Sequence, residues 1–305
     1  MRTALVGLGR MGLLHLRALR RTDALRLTAV VDPSPAARAG AAAEGVPAFA
    51  SVEELLGSIR VDAAVVAAPT PTHLELVRLL AAAGVSVLCE KPCGLTEEEA
   101  RQAGEAAAAA GVVLQVGYWR RFVPSLARLR DRIASGALGA VMQVGCFQWD
   151  ERPPSVDFRR SSGGILVDMG VHEFDMLRWL TGQEIVASAG FAGRSFAART
   201  VPGDPESVGV AVALSGGTVA LVSLGRRFPA GDAARVEVMG TVAAEDVRFL
   251  WPPAGEATLV DALVAQAEAF AAAVRGGAVA GATADDAGAA LAAAALAAGS
   301  VRDVD

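Results

Sequence analysis

The stretch TALVGLGRMG, residues 3–12, decides the fold of the N-terminal half of the chain. A short apolar, strand-like run leads into three glycines in a GxGxxG pattern, and a helical pattern follows directly. Glycines at this spacing allow a tight turn, a close approach of the backbone to a pyrophosphate, and close packing of helix on strand. The helix N-terminus adds N–H groups and a positive dipole that attract phosphate. We therefore predict a dinucleotide site that includes Gly7, Gly9, Arg10, Met11 and Gly12.

An acidic residue stands where such a site needs one. Asp32 follows a second predicted strand, residues 27–31, and lies twenty residues beyond Gly12. In this position a carboxylate accepts hydrogen bonds from the ribose hydroxyls of the adenosine half of the cofactor. Because its charge repels a 2′-phosphate, the sequence favours NAD over NADP. Arg38 would offset part of that preference if its side chain reached the ribose.

The first 118 residues alternate strand and helix patterns throughout. Each strand must cross over a helix to lie beside its predecessor, so the alternation predicts parallel pairing. We expect a doubly wound, parallel Rossmann sheet and an NAD-binding domain over residues 1–118. The predicted strands are residues 3–6, 27–31, 63–67, 86–89 and 112–116, and the predicted helices are residues 12–20, 36–43, 52–58, 73–83 and 96–110.

The pattern changes after residue 118. Strand-like runs follow one another closely and are joined by Gly-rich turns, which predicts antiparallel hairpins. We expect an α+β domain over residues 119–305 with a largely antiparallel open sheet, a polar loop up to residue 162, and two Ala-rich helices from residue 261 broken at residues 276–277. The predicted helices before the tail are 122–135 and 164–180, and the predicted strands are 141–149, 185–189, 208–214, 219–224 and 235–239.

Composition excludes several classes of protein. A length of 305 residues with 53% hydrophobic residues suits two globular domains. The net charge of -5, without a basic stripe, argues against a nucleic-acid partner. Three cysteines do not make a disulfide framework, and no signal peptide is visible. The alanine-rich stretch 287–298 is shorter than the roughly 20 residues that span a bilayer. We expect a soluble, cytoplasmic protein without a membrane partner.

Two segments offer the chemistry that a dehydrogenase needs, which is a proton acceptor and a group that holds the developing oxyanion. The segment EKP, residues 90–92, follows a predicted parallel strand at the sheet edge where ligands collect. Asp168 and His172 form an i, i+4 pair on a predicted helix, with Asp175 further along. A carboxylate beside an imidazole fixes its tautomer and raises its basicity. This spacing predicts His172 as general base and Asp168 as its partner or as a substrate ligand.

Other interpretations of these residues stay open. His15 lies among leucines and has the setting of a packed structural histidine, while His73 either lines the cofactor cleft or packs in the core. Glu90 either borders the cofactor or is a structural neighbour of Lys91. The other polar and aromatic candidates, read either as cleft residues or as rim and core residues, are Trp119, Arg120, Arg121, Trp149, Arg159 and Arg160.

A metal site and a tyrosine-based mechanism have little support. Asp168, His172 and Asp175 imitate a metal-binding set, but no further ligand has suitable spacing, and Cys89 and Cys93 are not a CxxC pair. Since Tyr118 is the only tyrosine, a Tyr–Lys acid/base pair is disfavoured. We expect no metal.

The motifs together resemble the Gfo/Idh/MocA oxidoreductase family over essentially the whole chain. The resemblance is carried by the GxGxxG, by EKP at residues 90–92, by Arg121-Phe122 followed by Pro124, and by GGILVDMGVHEFDMLRWL at residues 163–180. The last segment is especially similar to the inositol 2-dehydrogenases of that family. The segment 148–152 departs from the inositol enzymes, which leaves the substrate open.

The resemblance implies a site and a substrate class. It implies that Lys91, Asp168 and His172 form the catalytic set around a cyclic polyol or sugar, with His172 accepting the proton. It also implies that the loop 69–73 lies along the nicotinamide side of the cofactor and that Arg121 approaches cofactor or substrate. A face of the C-terminal sheet is expected to build a homodimer or homotetramer. The further residues expected to bind the cofactor are Pro69, Thr70, His73, Glu90 and Lys91.

Two functions of other classes remain as alternatives. One is an NAD-binding regulatory protein that has lost catalysis, although such a protein has no need of Lys91, Asp168 and His172 together. The other is a glycosidase-type enzyme that uses NAD transiently, although such relatives look different around the Gly-Gly and His segment.

Overall fold

The structure is a computed structural model that describes residues 1–43, 45–193, 201 and 204–304. It divides into two compact units, Met1–Trp119 with Val260–Gly288, and Arg120–Leu259 with Ala289–Asp305. The segment Val260–Gly288, which we had placed in the C-terminal domain, therefore belongs to the first unit. Its apolar side chains explain this, because Ala267, Phe270 and Ala271 lie in one buried core with strand residues of the first unit.

The first unit contains a parallel sheet of six strands in the order β3-β2-β1-β4-β5-β6. Every neighbouring pair is parallel, which confirms the doubly wound sheet and its Rossmann strand order. The edge strand β3 was not predicted. The strands are β1 (Arg2–Val6), β2 (Arg26–Val31), β3 (Ala48–Phe49), β4 (Ala63–Val66), β5 (Ser86–Cys89) and β6 (Leu114–Val116).

The helices of the first unit begin at recognisable caps. Ser51 accepts a hydrogen bond from the N–H of Glu54, and Thr96 accepts one from Glu99, so both helices start with a satisfied N–H group. Gly111 ends its helix in the left-handed conformation at φ +66°. The helices are α1 (Arg10–Leu19), α2 (Pro35–Ala43), α3 (Val52–Ser58), α4 (His73–Ala82) and α5 (Glu97–Ala110).

The second unit contains a mixed sheet of seven strands in the order β12-β11-β7-β10-β9-β8-β13. Only the pairs β7/β10 and β8/β13 are parallel, so the expected largely antiparallel sheet is confirmed. The strands are β7 (Val141–Trp149), β8 (Ile185–Ala192), β9 (Ser207–Leu214), β10 (Val219–Gly225), β11 (Ala233–Gly240), β12 (Ala244–Leu250) and β13 (Val301–Asp303). The remaining helices along the chain are α6 (Pro124–Ala134), α7 (Val156–Ser161), α8 (Val171–Thr181), α9 (Gly255–Val274) and α10 (Ala284–Ser300). Most of α9 belongs to the first unit, and most of α10 to the second.

One face of the second sheet is buried and the other is open. Val222 and Leu224 of β10 are buried, whereas Leu221 of the same strand is 49% exposed. Phe191 of β8 is 61% exposed. Since alternate residues of a strand point to opposite faces, the apolar alternation fixes which face packs on the helices.

Two segments near the candidate site differ from expectation. The predicted continuous helix 164–180 is interrupted, because Leu166–Gly170 forms a π-helical turn and only then does α8 begin. Gly163 and Gly164 precede it at φ +81° and +82°, a conformation that glycine adopts freely. The predicted polar loop contains the short helix α7, which starts because the Ser155 side chain accepts the N–H of Phe158.

One helix in the described part of the chain, α9, is long and apolar enough to cross a membrane by length and composition. The stretch 287–298 noted in the sequence is not the one that meets this criterion. Phe270 of α9 is fully buried in the core of the first unit. An apolar helix that packs in this way is typical of a protein core.

Candidate active site

The glycine loop has the shape of a phosphate cradle. A Cβ atom on Gly7, which has φ +94°, would lie 2.5 Å from the carbonyl oxygen of Ala67, and one on Gly12 would lie 2.1 Å from that of Gly7. Gly9 has no neighbouring atom within 4 Å of such a position and is exposed. It caps α1 without a side-chain hydrogen bond. The open side of Gly9 at a helix N-terminus suits the pyrophosphate of a dinucleotide.

Asp32 stands beside this loop and is half-buried. Its carboxylate accepts hydrogen bonds from the backbone N–H of Leu8 and of Ser34, both at 2.8 Å. Arg38 donates to the carbonyl oxygens of Asp32 and Pro33 at 2.7 and 2.9 Å. Because a carboxylate can accept about four hydrogen bonds, Asp32 keeps capacity for ribose hydroxyls. The loop, the helix N-terminus and this acid together fit NAD.

Glu90 is directed into the protein, at the end of β5. One of its oxygens lies 2.7 Å from Nε2 of His15, and the other accepts the backbone N–H of Lys91 at 3.2 Å. Both His15 and Glu90 are buried. A Cβ on Gly117 would come within 2.9 Å of the Glu90 Cα. The carboxylate of Glu90 is thus used to fix the backbone around Lys91, which is itself half-buried.

His73 ties two loops of the first unit together. Its Nδ1 lies 2.7 Å from the carbonyl oxygen of Pro92, and its Nε2 lies 2.8 Å from that of Ala68. Burial lowers the pKa of His73, while the two carbonyls and Glu90 act in the opposite direction. Each of the two ring nitrogens of His73 thus contacts a backbone oxygen. The neighbouring Pro69 is exposed and Thr70 is half-buried, so those two retain accessible surface.

In the second unit the π turn carries Asp168, and α8 begins just before His172. His172 is buried and Asp168 is half-buried. The backbone N–H of Asp168 donates to Gly164, and its Oδ2 accepts from Nη1 of Arg226 at 3.0 Å. The π turn replaces the simple i, i+4 geometry assumed from the sequence. Such turns inside helices are frequent at functional sites.

Arg226 belongs to this candidate site but was not predicted from the sequence. It is fully buried, and the Asp168 and Asp204 carboxylates hold its pKa above the ordinary value although burial works against the charge. The available signal was an Arg-Arg pair that closes the apolar run of β10. That signal does not reveal the partners, which lie 22 and 58 residues away in sequence.

Two neighbouring arginines of the second unit are held by acids of α8. Arg120 donates to Glu173 and to Gln148, both at 2.6 Å. Arg121, expected to approach cofactor or substrate, forms a two-pronged pair with Asp175, with Nε 3.1 Å from Oδ2 and Nη2 2.5 Å from Oδ1. Both pairs are buried. They fix the start of the second unit to α8.

The segment 148–152, which departs from the inositol enzymes, begins with two residues of β7 that point to opposite faces of the sheet. The side chain of Gln148 bonds to Arg120, whereas Trp149 stacks on Phe147 and donates its Nε1–H to Ser223 at 3.0 Å. Trp149 therefore packs against the sheet. Trp119 is buried, and Arg159 pairs with Asp204 while Arg160 is largely exposed. Among the described residues no cluster of three or more His, Cys, Asp or Glu side chains has the arrangement of a metal site.

The parallel sheet, the glycine loop and Asp32 define an NAD-binding oxidoreductase of the Rossmann type. Residues 1–118 match the family model described as GFO/IDH/MocA oxidoreductase family, NAD-binding Rossmann fold. Residues 126–244 match the model of the GFO/IDH/MocA C-terminal domain. The chain belongs to the Gfo/Idh/MocA oxidoreductase family, as its motifs led us to expect.

Individual relatives cover most of the chain. The rhizopine catabolism protein MocA of Rhizobium meliloti is 49% identical over 277 residues, which are 91% of this chain and 87% of that protein. An inositol 2-dehydrogenase of Rhizobium meliloti strain 1021 is 36% identical over 251 residues, 81% and 76% of the two chains. The crystal structure of a putative myo-inositol dehydrogenase from Sinorhizobium meliloti 1021 superposes with a TM-score of 0.90 at 32% identity, covering 98% and 97%.

A related structure contains the cofactor. GenD2 from gentamicin A biosynthesis, solved in complex with NAD, superposes with a TM-score of 0.90 at 27% identity and covers 98% of this chain and 93% of that one. The fold that surrounds NAD there is also the fold of this chain. This agrees with the glycine loop and Asp32 in identifying NAD as the cofactor.

Proposed function

We propose that this protein is an NAD-dependent dehydrogenase that oxidises a secondary hydroxyl group of an inositol-like cyclic polyol or sugar. The observation that carries the proposal is the π turn, which presents a carboxylate held by a buried arginine, Asp168, just before the buried imidazole of His172. The names of the relatives support the substrate class, since several are inositol dehydrogenases.

The proposal gives each residue a task. NAD, when bound, takes up the hydride from the carbon that bears the hydroxyl. His172 accepts the hydroxyl proton, and the ammonium group of Lys91 stabilises the negative charge that develops on oxygen. Asp168, as a carboxylate, accepts a hydrogen bond from a substrate hydroxyl or from the imidazole and so orients it.

The first unit supplies the cofactor site in this proposal. Gly7, Gly9, Arg10, Met11 and Gly12 surround the pyrophosphate, and Asp32 accepts the ribose hydroxyls. Pro69 and Thr70 border the nicotinamide side of the cofactor. His73 and Glu90 stabilise the loop that carries Lys91, through contacts with the Pro92 carbonyl and the Lys91 N–H. Arg121, held in place by Asp175, contacts the substrate in this proposal.

Two observations bear on the identity of the polyol. Gln148, in the segment that departs from the inositol enzymes, is held by Arg120. A relative that is 49% identical is named for rhizopine catabolism. The candidate substrates are therefore inositol isomers and rhizopine.

The experiment that tests the function is an NAD reduction assay over myo-inositol, scyllo-inositol, rhizopine and simple sugars. We expect NADH to form with at least one polyol, and the His172→Ala and Lys91→Ala variants to lose about a hundredfold or more in kcat. NAD binding by calorimetry without reduction of NAD would instead favour the regulatory protein. Release of an aglycone from a glycoside would favour the NAD-assisted glycosidase.

We also propose that the protein is a cytoplasmic homodimer or homotetramer assembled through the open face of the second sheet. Large apolar side chains are unusual on an exposed sheet, yet Phe191, Val219 and Leu221 are between 47% and 61% exposed there. A second copy of the chain would cover them. No nucleic acid or membrane is needed as a partner in this proposal.

A further inference from the structure

Four charged side chains form one network inside the second unit. Arg226 donates to Asp204 through Nη2 at 3.0 Å and to Asp168 through Nη1 at 3.0 Å. Arg159 holds the same Asp204 from the other side, with Nε 2.5 Å from Oδ2 and Nη2 2.6 Å from the backbone carbonyl. Two positive and two negative charges therefore balance within the network.

Burial is uneven across the network. The side chains of Arg226, Asp204 and Arg159 are at most 3% exposed, whereas that of Asp168 is 12% exposed. Without Asp168 the other three would carry a net positive charge in the interior, which is costly. Asp168 is thus the only one of these four side chains that has appreciable exposure to solvent.

The shape of the arginine explains why this residue type occupies the position. A guanidinium group donates from several nitrogens in a fixed plane, so one side chain can hold two carboxylates at once. Nε and Nη2 of Arg226 both face Asp204, and Nη1 faces Asp168. A lysine has one ammonium group on a flexible stem and cannot maintain both contacts in the same geometry.

We infer that Arg226 is a positioning residue for the proposed reaction and acts by holding the Asp168 carboxylate in a fixed orientation. The inference rests on the proposed function, which assigns Asp168 to the substrate. A carboxylate oxygen accepts hydrogen bonds along defined directions. The orientation that Arg226 imposes on Asp168 therefore sets where a hydroxyl or imidazole N–H must lie to donate to it.

The test compares Arg226→Lys with the matched control Arg159→Lys. Both changes alter a buried arginine bonded to Asp204, but only Arg226 also contacts Asp168. We expect Arg226→Lys to lower kcat/KM for the polyol about tenfold and Arg159→Lys by about twofold or less, with kcat counted per folded, NAD-binding molecule. The KM for NAD should stay within about twofold in both, since Asp168 belongs to the other unit.

A second variant removes the charge. Arg226→Met should lower kcat/KM for the polyol about a hundredfold, and Arg226→Lys should recover part of that loss, because a cation near Asp168 is restored. If Arg226→Met does not fold, the comparison of the two lysine variants decides the matter alone.

The inference is overturned by equal losses in Arg226→Lys and Arg159→Lys, by wild-type turnover in Arg226→Met, or by a loss that appears in the KM for NAD. Failure of the proposed function has a different signature. In that case the wild-type protein itself reduces no NAD with any polyol, and the variants have no activity to compare.

Discussion

Nε2 of His15 lies 2.7 Å from Oε1 of Glu90, and both side chains are buried. His15 belongs to α1, whose N-terminus carries the glycine loop, and Glu90 precedes Lys91 at the end of β5. The contact therefore joins the cofactor loop to the backbone that carries the proposed catalytic lysine. In the sequence alone, His15 is only a histidine among leucines.

We predict that His15→Leu destabilises the protein by about 1–3 kcal/mol, because the buried Oε1 of Glu90 then loses its contact with Nε2 of His15. His15→Gln, which offers an amide donor, should cost less. Urea unfolding followed by circular dichroism measures both. Equal stability of His15→Leu and wild type would show that the pair contributes nothing to the first unit.

The glycine loop permits a matched pair of substitutions. Gly9→Ala should lower the free energy of unfolding by no more than about 1 kcal/mol, because no atom beyond its two chain neighbours lies within 4 Å of the new methyl group and only the N-cap preference for Gly over Ala is lost. The same methyl group occupies the proposed pyrophosphate position, so the Kd for NAD should rise about tenfold or more.

Gly7→Ala is the control for that prediction. Its methyl group would meet the Ala67 carbonyl at 2.5 Å, in a backbone conformation of φ +94°, so it should lower stability as well as affinity. Calorimetric titration with NAD gives the affinities. Undiminished NAD binding by Gly9→Ala would place the pyrophosphate elsewhere.

The open sheet face gives a prediction about assembly. Leu221→Asp places a charge among exposed apolar side chains and should convert the oligomer to a monomer in light scattering coupled to gel filtration. Ser188→Asp would not be a suitable control, because Ser188 of β8 is half-buried and contacts Ser300. The better control is Val242→Asp, which changes a 75% exposed side chain in the turn between β11 and β12. A wild-type protein that already elutes as a monomer contradicts the proposal.

The ion pair between Arg2 and Asp62 makes stability depend on pH. The hydrogen bond from Arg2 is the main reason that the pKa of Asp62 falls from 3.8 to about 2, against the opposing effect of burial. A carboxylate whose pKa is lower in the folded state stabilises the fold above pH 3.8, and this contribution is lost as the pH falls towards 2.

Asp62→Asn should therefore lower the free energy of unfolding at neutral pH by less than about 1 kcal/mol, because the pair is well exposed to solvent. The difference from wild type should shrink as the pH is lowered below 3.8. Urea unfolding at neutral pH and at two acidic values measures this. A difference that grows on acidification would have the wrong sign for this mechanism.

The strongly patterned parts of the fold were predictable from sequence. Strand β5, strand β7 and helix α3 have the bounds that the apolar runs indicated. The edge strands β3, β12 and β13 were not predicted. Strands β3 and β13 have only two or three residues, too few to carry a periodicity. Strand β12 has seven, but three of them, Glu245, Asp246 and Arg248, are charged, as is common on edge strands. The π turn was not predicted because its five residues, Leu166–Gly170, are too few for a change of period to show in the sequence.

Local patterns also predicted residues for the chemistry of the candidate site, but not the residues that hold them in place. Asp32, Lys91 and His172 stand in motifs with a clear physical meaning. Arg226 gains its meaning only from Asp204 and Asp168, which the folded chain brings beside it. Distant ion pairs of this kind leave no periodic trace in a single sequence.

The return of Val260–Gly288 to the first unit affects how the protein is made and how it can be divided. Phe270 completes the core that contains Leu5, and the N–H of Val116 bonds to the carbonyl of Ala282. During synthesis the nucleotide-binding half must therefore wait, with part of its core uncovered, until nearly the whole chain has left the ribosome. For the same reason a chimera that exchanges cofactor domains has to transplant two separate stretches of chain, since the fragment 1–118 lacks part of its own interior.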